Sequence, residues 1–225
     1  MNLYILVEGK TEGKIYPKWL SHLLPSFNRV DSPEDAIEKN YYLISCGGYP
    51  GILDNYLAIS VADVNNSNKF SHLIIVIDTD NLSSEEKTKE VYDYIEENNI
   101  QLINCELTII TQTVCMETWF LGNKKIYSRN PQNTKCSKFS NYFNTSEGDP
   151  ETMLKDPDYQ GTNANFHFEY LKAMLREKNI RYSKSHPQGV GEEHYLKKLQ
   201  NRLEEDKNSL STMRNLFNFL DKISS

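Results

Sequence analysis

Four carboxylates are spaced so that they could meet on one cation. Glu8 follows the apolar run Leu3-Tyr4-Ile5-Leu6-Val7, and Glu12 comes four residues later, one turn on if a helix begins there. Asp78 and Asp80 flank Thr79 at the end of a second apolar run, and in a still-extended segment they project to the same side. Carboxylates gathered without a neutralising charge repel one another and cost stability; a bound divalent cation removes that cost. Magnesium suits such a set. It takes oxygen ligands, keeps several waters, and is commonly held by one or two carboxylates plus substrate phosphate oxygens, and manganese could substitute for it. The chemistry it offers is activation of a water and stabilisation of the oxygens of an in-line displacement at phosphorus.

These side chains need elements to position them. Leu3–Val7 has no polar interruption, the pattern of a strand buried on both faces. Ile15, Trp19, Leu20, Leu23 and Leu24 recur at helical spacing and predict a helix that Pro25 stops. Residues 41–45 predict a second strand, Gly47-Gly48 a turn, and residues 51–64 a helix with Ile52, Tyr56 and Ile59 on one face. The strongest strand signal is His72–Asp78, β-branched through its centre. Ser83 or Ser84 with Glu86 then resembles a helix start, continued by Val91, Tyr92, Ile95 and Ile100, and residues 107–111 predict a fourth strand. The order β-α-β-α-β-α-β predicts a three-layer α/β fold with a mostly parallel central sheet. In such sheets ligands bind outside the carboxyl ends of the strands, where Glu8, Asp78 and Asp80 fall.

After residue 122 the pattern changes. Residues 130–165 are rich in Asn, Ser, Thr, Asp, Pro and Gly with little periodicity, and helical spacing returns over 166–178, 192–205 and 210–223. The expected organisation is a core over residues 1–122, an irregular insertion or loop over 123–165, and a C-terminal helical part over 166–225 packed on the core.

Composition narrows the classes. With 225 residues, 38% apolar and 25% charged, 14 Tyr and 9 Phe, the chain can build a packed interior, which excludes a disordered chain. Its first apolar run is five residues long and meets Glu8 at once, so neither a leader segment nor a membrane span is expected. Cys46, Cys105, Cys115 and Cys136 form no Cys-x-x-Cys pair and have no histidine ladder nearby, which predicts reduced thiols in a cytoplasmic protein rather than a zinc site.

The net charge of −6 is unevenly spread: residues 1–118 hold 8 Lys and Arg against 18 Asp and Glu, residues 119–225 hold 17 against 13. An acidic half suits divalent metals and a basic half suits phosphates. Arg176, Arg181, Lys184, Lys197 and Lys198 are the candidate nucleic-acid contacts, positioning a phosphate backbone without reading its sequence. No Gly-x-x-x-x-Gly-Lys loop is present, so nucleotide hydrolysis of that type is not expected.

The segment Val7-Glu8-Gly9-Lys10-Thr11-Glu12 resembles the Toprim signature, in which a glutamate follows the first strand. Ile77-Asp78-Thr79-Asp80-Asn81 resembles its later Asp-x-Asp. The resemblance covers roughly residues 1–122. Toprim folds occur in topoisomerases, bacterial primases, small RNA-maturation nucleases and the OLD (overcoming lysogenization defect) nucleases, and the resemblance implies magnesium-dependent phosphodiester chemistry. Topoisomerases and primases need further domains that this length does not hold.

The chain is most similar to compact RloB-like and OLD-like defence-associated Toprim proteins. That likeness rests on the extended Glu8…Glu12 pairing and on Cys115-Met116-Glu117-Thr118-Trp119-Phe120-Leu121, which resembles their Glu-x-Trp-Leu segment; Tyr182-Ser183-Lys184 also resembles their late lysine segment. It implies that Glu117 joins Glu8, Glu12, Asp78 and Asp80 as a metal-site acid. It also implies that Lys184 stabilises developing charge at the scissile phosphate. His186 is a further candidate general acid or phosphate contact. The implied activity is a metal-dependent endonuclease acting on DNA or RNA in antiviral defence, with a partner ATPase and homo-oligomeric assembly. Two alternatives stand beside it: a non-catalytic Toprim-like interaction subunit, and a phosphoreceiver-type module. The latter would need an acidic pair after the first strand, where Glu8-Gly9 stands.

Overall fold

The unbroken apolar runs become the middle of a parallel sheet. In the computed structural model, which describes residues 1–187 and 189–224, β1 (Leu3–Val7) lies between β3 (Asn40–Ser45) and β4 (His72–Asp78). Leu3 to Val7 pair in parallel register with Tyr41 to Ser45 on one side and His72 to Val76 on the other. The full order is β2-β3-β1-β4-β5, with β5 at Glu106–Gln112 and a two-residue edge strand, β2, at Asn28–Arg29 that hydropathy does not signal. β5 runs in the same direction as β4: Glu106 N donates to Ser71 O at one end and Thr79 N to Gln112 O at the other.

Strand alternation divides the core between two faces. Tyr4, Leu6, Leu73, Ile75 and Ile77 pack with Ile52, Leu53, Leu57, Val61, Val64 and Val91, which come from α2 (Ala58–Ser67), the π-helical turn Ile52–Leu57 ahead of it, and α3 (Ser84–Glu97). The alternate residues Leu3, Ile5, Val7, Ile74 and Val76 are also buried. On that face α1 (Lys10–Leu23) lies against β3 through a stripe that includes Ile15, Tyr16, Trp19 and Leu20. The three-layer α/β fold expected from the element order is therefore the fold observed, and strands covered on both faces account for their unbroken apolar runs.

Two local details depart from the spacing. The π-helical turn is wider than an α-turn and rotates the following face, so Ile59 is exposed while Leu57 and Val61 are buried. At α3 the choice of cap is resolved: Ser83 Oγ accepts from Glu86 N at 3.1 Å, and Ser83 N donates to Glu86 Oε2 at 2.8 Å.

The chain forms two compact units whose boundaries differ from the expected ones. The first comprises Met1–Ile77, Ser83–Thr111 and the chain from Leu220; the second comprises Asp78–Leu82 and Gln112–Phe219. The second holds α4 (Met116–Leu121), α5 (Thr134–Tyr142), α6 (Asn163–Glu177), α7 (Glu193–Glu205) and most of α8 (Ser211–Ser224). Residues 123–165 are thus not irregular throughout, and they share a unit with α6 and α7. Asn133 caps α5 by accepting from Lys135 N at 2.8 Å, and Cys136 and Phe139, three residues apart, bury its inner face. Among the described residues no helix is long and apolar enough to cross a membrane.

Candidate active site

In the first unit, β1 hands the chain to Glu8, whose N–H donates to Val76 O at 3.1 Å and whose carbonyl accepts from Gly48 N at 2.8 Å. Gly9 is the extended N-cap of α1, which starts at Lys10. Glu8 therefore lies outside the helix and Glu12 at its third position, so the one-turn relation expected between them does not form. Glu12 is buried, in the first turn, where a negative charge complements the helix dipole. Its carboxylate lies over Gly9: a Cβ there would sit 2.7 Å from Glu12 Oε2, a clash that glycine avoids.

In the second unit, Asp78 is the last residue of β4, and the extended path does not continue to Asp80. Asp80 has φ of 54°, and Leu82 N donates to Thr79 O to close a turn. This left-handed conformation at a non-glycine residue is held from both sides. Thr79 N donates to Gln112 O at 2.9 Å and Asp80 N to Val114 O at 3.1 Å, while the Thr79 hydroxyl accepts from Val114 N at 2.9 Å. The strand end that carries the aspartates is thereby fastened to the residues leading into α4.

Glu117 stands in the first turn of α4 and is almost wholly buried. The Tyr182 hydroxyl donates to its Oε1 at 2.8 Å, and Lys184 Nζ lies 3.9 Å from its Oε2. The neighbouring Cys115 thiol is raised well above its ordinary value, first by burial, then by the charges of Glu117 and Asp78, with Lys184 acting against them. The thiol is thus inert, and the charges of Glu117, Asp78 and Lys184 all act on it. The Lys184 side chain is 56% exposed.

The other candidates divide. Arg176 and Arg181 line a cavity of about 750 Å³ in the second unit, together with Lys135, Lys172, Glu169 and Tyr182. Lys197 is instead paired with Glu193 at 2.7 Å on α7, and neither it nor Lys198 lines that cavity. His186 Nδ1 is 3.0 Å from Ser185 Oγ in a short surface turn. Tyr182 as the donor that fixes Glu117 is invisible in the sequence beyond its place two residues before Lys184.

Also missed is His167, fully buried on α6: Nε2 donates to Met153 O at 2.8 Å, which leaves Nδ1 to accept from the Thr118 hydroxyl at 2.7 Å. Burial, opposed by the bond to Met153, pushes this imidazole down to about 4, so it is neutral near pH 7 and ties α6 to α4.

The donors Asp78, Asp80 and Glu117 are all carboxylates, the oxygen chemistry that magnesium takes. Among the described residues no three His, Cys, Asp or Glu side chains are grouped closely enough to hold an ion. The described residues form no preformed protein cage, and an ion here would have to be held by one or two carboxylates and completed by waters and phosphate oxygens. Comparison of the chain with family models, with curated proteins and with solved structures finds no match.

Proposed function

We propose that the protein is a metal-dependent nuclease of the Toprim type that hydrolyses phosphodiester bonds in DNA or RNA. The observation that supports this reading most is the pairing of Lys184 with the buried Glu117, Nζ 3.9 Å from Oε2, beyond the end of β5 and in the unit that also holds Asp78 and Asp80. Functional sites of parallel sheets lie at that end.

One or two of Asp78, Asp80 and Glu117 would hold magnesium, and a part for Glu8 and Glu12 rests on the Toprim resemblance alone. When bound, the ion acidifies a water and neutralises phosphate oxygens. Tyr182 holds Glu117 in one orientation through Oε1 and leaves Oε2 toward Lys184. Lys184, released from Glu117 by an arriving phosphate, places its ammonium against the oxygens where charge develops. Participation in an anti-phage system with a partner ATPase rests on the resemblance alone.

The test is cleavage of plasmid, single-stranded DNA and total cellular RNA with magnesium, manganese or EDTA, wild type beside Asp78→Asn and Lys184→Ala. Metal-dependent loss of one substrate is expected, abolished by Asp78→Asn and slowed about 10²- to 10³-fold by Lys184→Ala, the range for removal of one charge-stabilising donor. Cleavage that survives Asp78→Asn rejects the assignment. Absence of cleavage on every substrate points instead to the interaction subunit.

A further inference from the structure

We infer that the basic cavity of the second unit is a seat for single-stranded nucleic acid, occupied by the stretch of strand next to the bond to be cut. This inference rests on the nuclease reading for its purpose and on the cavity's own geometry for its ligand. Lys135, Lys172, Arg176 and Arg181 line the cavity against the single acid Glu169, a local excess of three positive charges. Lys135 and Lys172 both pair with Glu169, Lys172 at 3.1 Å. Arg176 and Arg181 form no ion pair or side-chain hydrogen bond with any described residue, and both are exposed. Their planar donor forks are therefore available, and their geometry matches phosphate oxygens in a bidentate manner.

Size selects the form of the ligand. About 750 Å³ lies within the range of small-ligand pockets, room for one or two nucleotides of a strand and not for a duplex. The cavity also adjoins the acids: Tyr182 lines it and at the same time donates to Glu117 Oε1 at 2.8 Å. Lys172 Nζ and Lys184 Nζ both lie over the ring of Phe168, at 4.7 and 5.9 Å from its centre, so the positive charge continues from the cavity to the lysine beside Glu117. A strand whose phosphates lie on Arg176 and Arg181 is carried past Tyr182 toward Asp78 and Glu117. Lys197 and Lys198, away from the cavity, have no part in this seat.

The experiment measures binding without cleavage. Fluorescence anisotropy of a labelled six-nucleotide single strand, DNA and RNA in turn, is read in EDTA on the Asp78→Asn protein, alone and with Arg176→Gln and Arg181→Gln added. Lys207→Glu on the same background makes the same net charge change of two at a surface site outside the cavity. The paired arginine substitutions are expected to weaken binding at least tenfold and to flatten the slope of log affinity against log salt by about 1.4, two phosphates at about 0.7 each. Lys207→Glu is expected to stay within twofold, and a duplex of the same sequence to bind more weakly than the single strand.

Equal loss in the arginine and Lys207 variants overturns the seat. So does equal affinity for duplex and single strand, or displacement of the strand by equimolar ATP or pyrophosphate, which marks a free-nucleotide or free-phosphate pocket. Because the assay needs neither metal nor turnover, its failure is separable from that of the nuclease reading. Arginine-dependent binding by a protein that cuts nothing keeps the seat and removes the nuclease, while cutting that is indifferent to both arginines does the reverse.

Discussion

The two units are stabilised by different means. In the first, the sheet and its covering helices bury unbroken apolar side chains such as Leu6, Ile75 and Trp19. The second has no strand of its own among the described residues; its helices bury apolar side chains such as Phe120, Leu171 and Leu199, and to these it adds directed polar contacts made by buried groups. Arg202, 1% exposed, donates to Thr145 O at 2.6 Å, Gly148 O at 2.7 Å, Gly122 O at 3.3 Å and Ser209 Oγ at 2.7 Å. Trp119 Nε1 donates to the Thr212 hydroxyl at 2.9 Å, and that hydroxyl donates in turn to Glu151. Apolar burial is graded with area and tolerates small changes of shape, whereas a buried polar group left without its partner costs its full desolvation penalty.

That contrast can be broken by experiment. The largest effect is expected from Arg202→Ala, which orphans three carbonyls and opens a void; about 3–5 kcal/mol should be lost in urea unfolding. Next is pH. His167 titrates at about 4 when folded and near 6.5 when unfolded, so the unfolded chain binds the extra proton between those values. Its contribution is fully present above pH 6.5 and falls as the pH drops toward 4, by about 3 kcal/mol in all, and His167→Gln should flatten that part of the stability profile.

A smaller loss, about 1–3 kcal/mol, is expected from Thr212→Val, which keeps the shape but removes the shorter of the two bonds from Trp119 Nε1, leaving that to Glu151 Oε1 at 3.2 Å, and removes a donor to Glu151. The smallest is Ile75→Val in the sheet, about 0.5–1.5 kcal/mol, the cost of one buried methyl group. A thermal or urea series in which Ile75→Val exceeds Thr212→Val would remove the distinction between the units.

The same contrast separates what was legible in the chain from what was not. β1 and β4 end where the apolar runs end, and the pairing of Ser83 with Glu86 is the cap its spacing suggests. Those features depend on neighbours within a few residues, and an alternating or unbroken apolar pattern reports them directly. The extended path expected from Asp78 to Asp80 is not kept, because the contacts that fix it come from afar: Val114, 35 residues beyond Thr79, donates to the Thr79 hydroxyl and accepts from Asp80 N, and Asp80 stands in the left-handed region. Likewise α5 hid in a polar stretch, since two buried side chains, Cys136 and Phe139, and one asparagine cap leave little periodicity to detect.

By itself the sequence determined the parallel α/β sheet, the strand ends that carry Glu8 and Asp78, and the acid and basic residues available for chemistry. Tertiary structure decided which of them meet. Glu117 joins Tyr182 and Lys184 across 65 or more residues, and Arg176 joins Arg181 in the cavity while Lys197 turns to Glu193. Local propensity is written in adjacent residues, but the company of a charged side chain is set by chain closure over long separations, and a one-dimensional pattern carries no record of that.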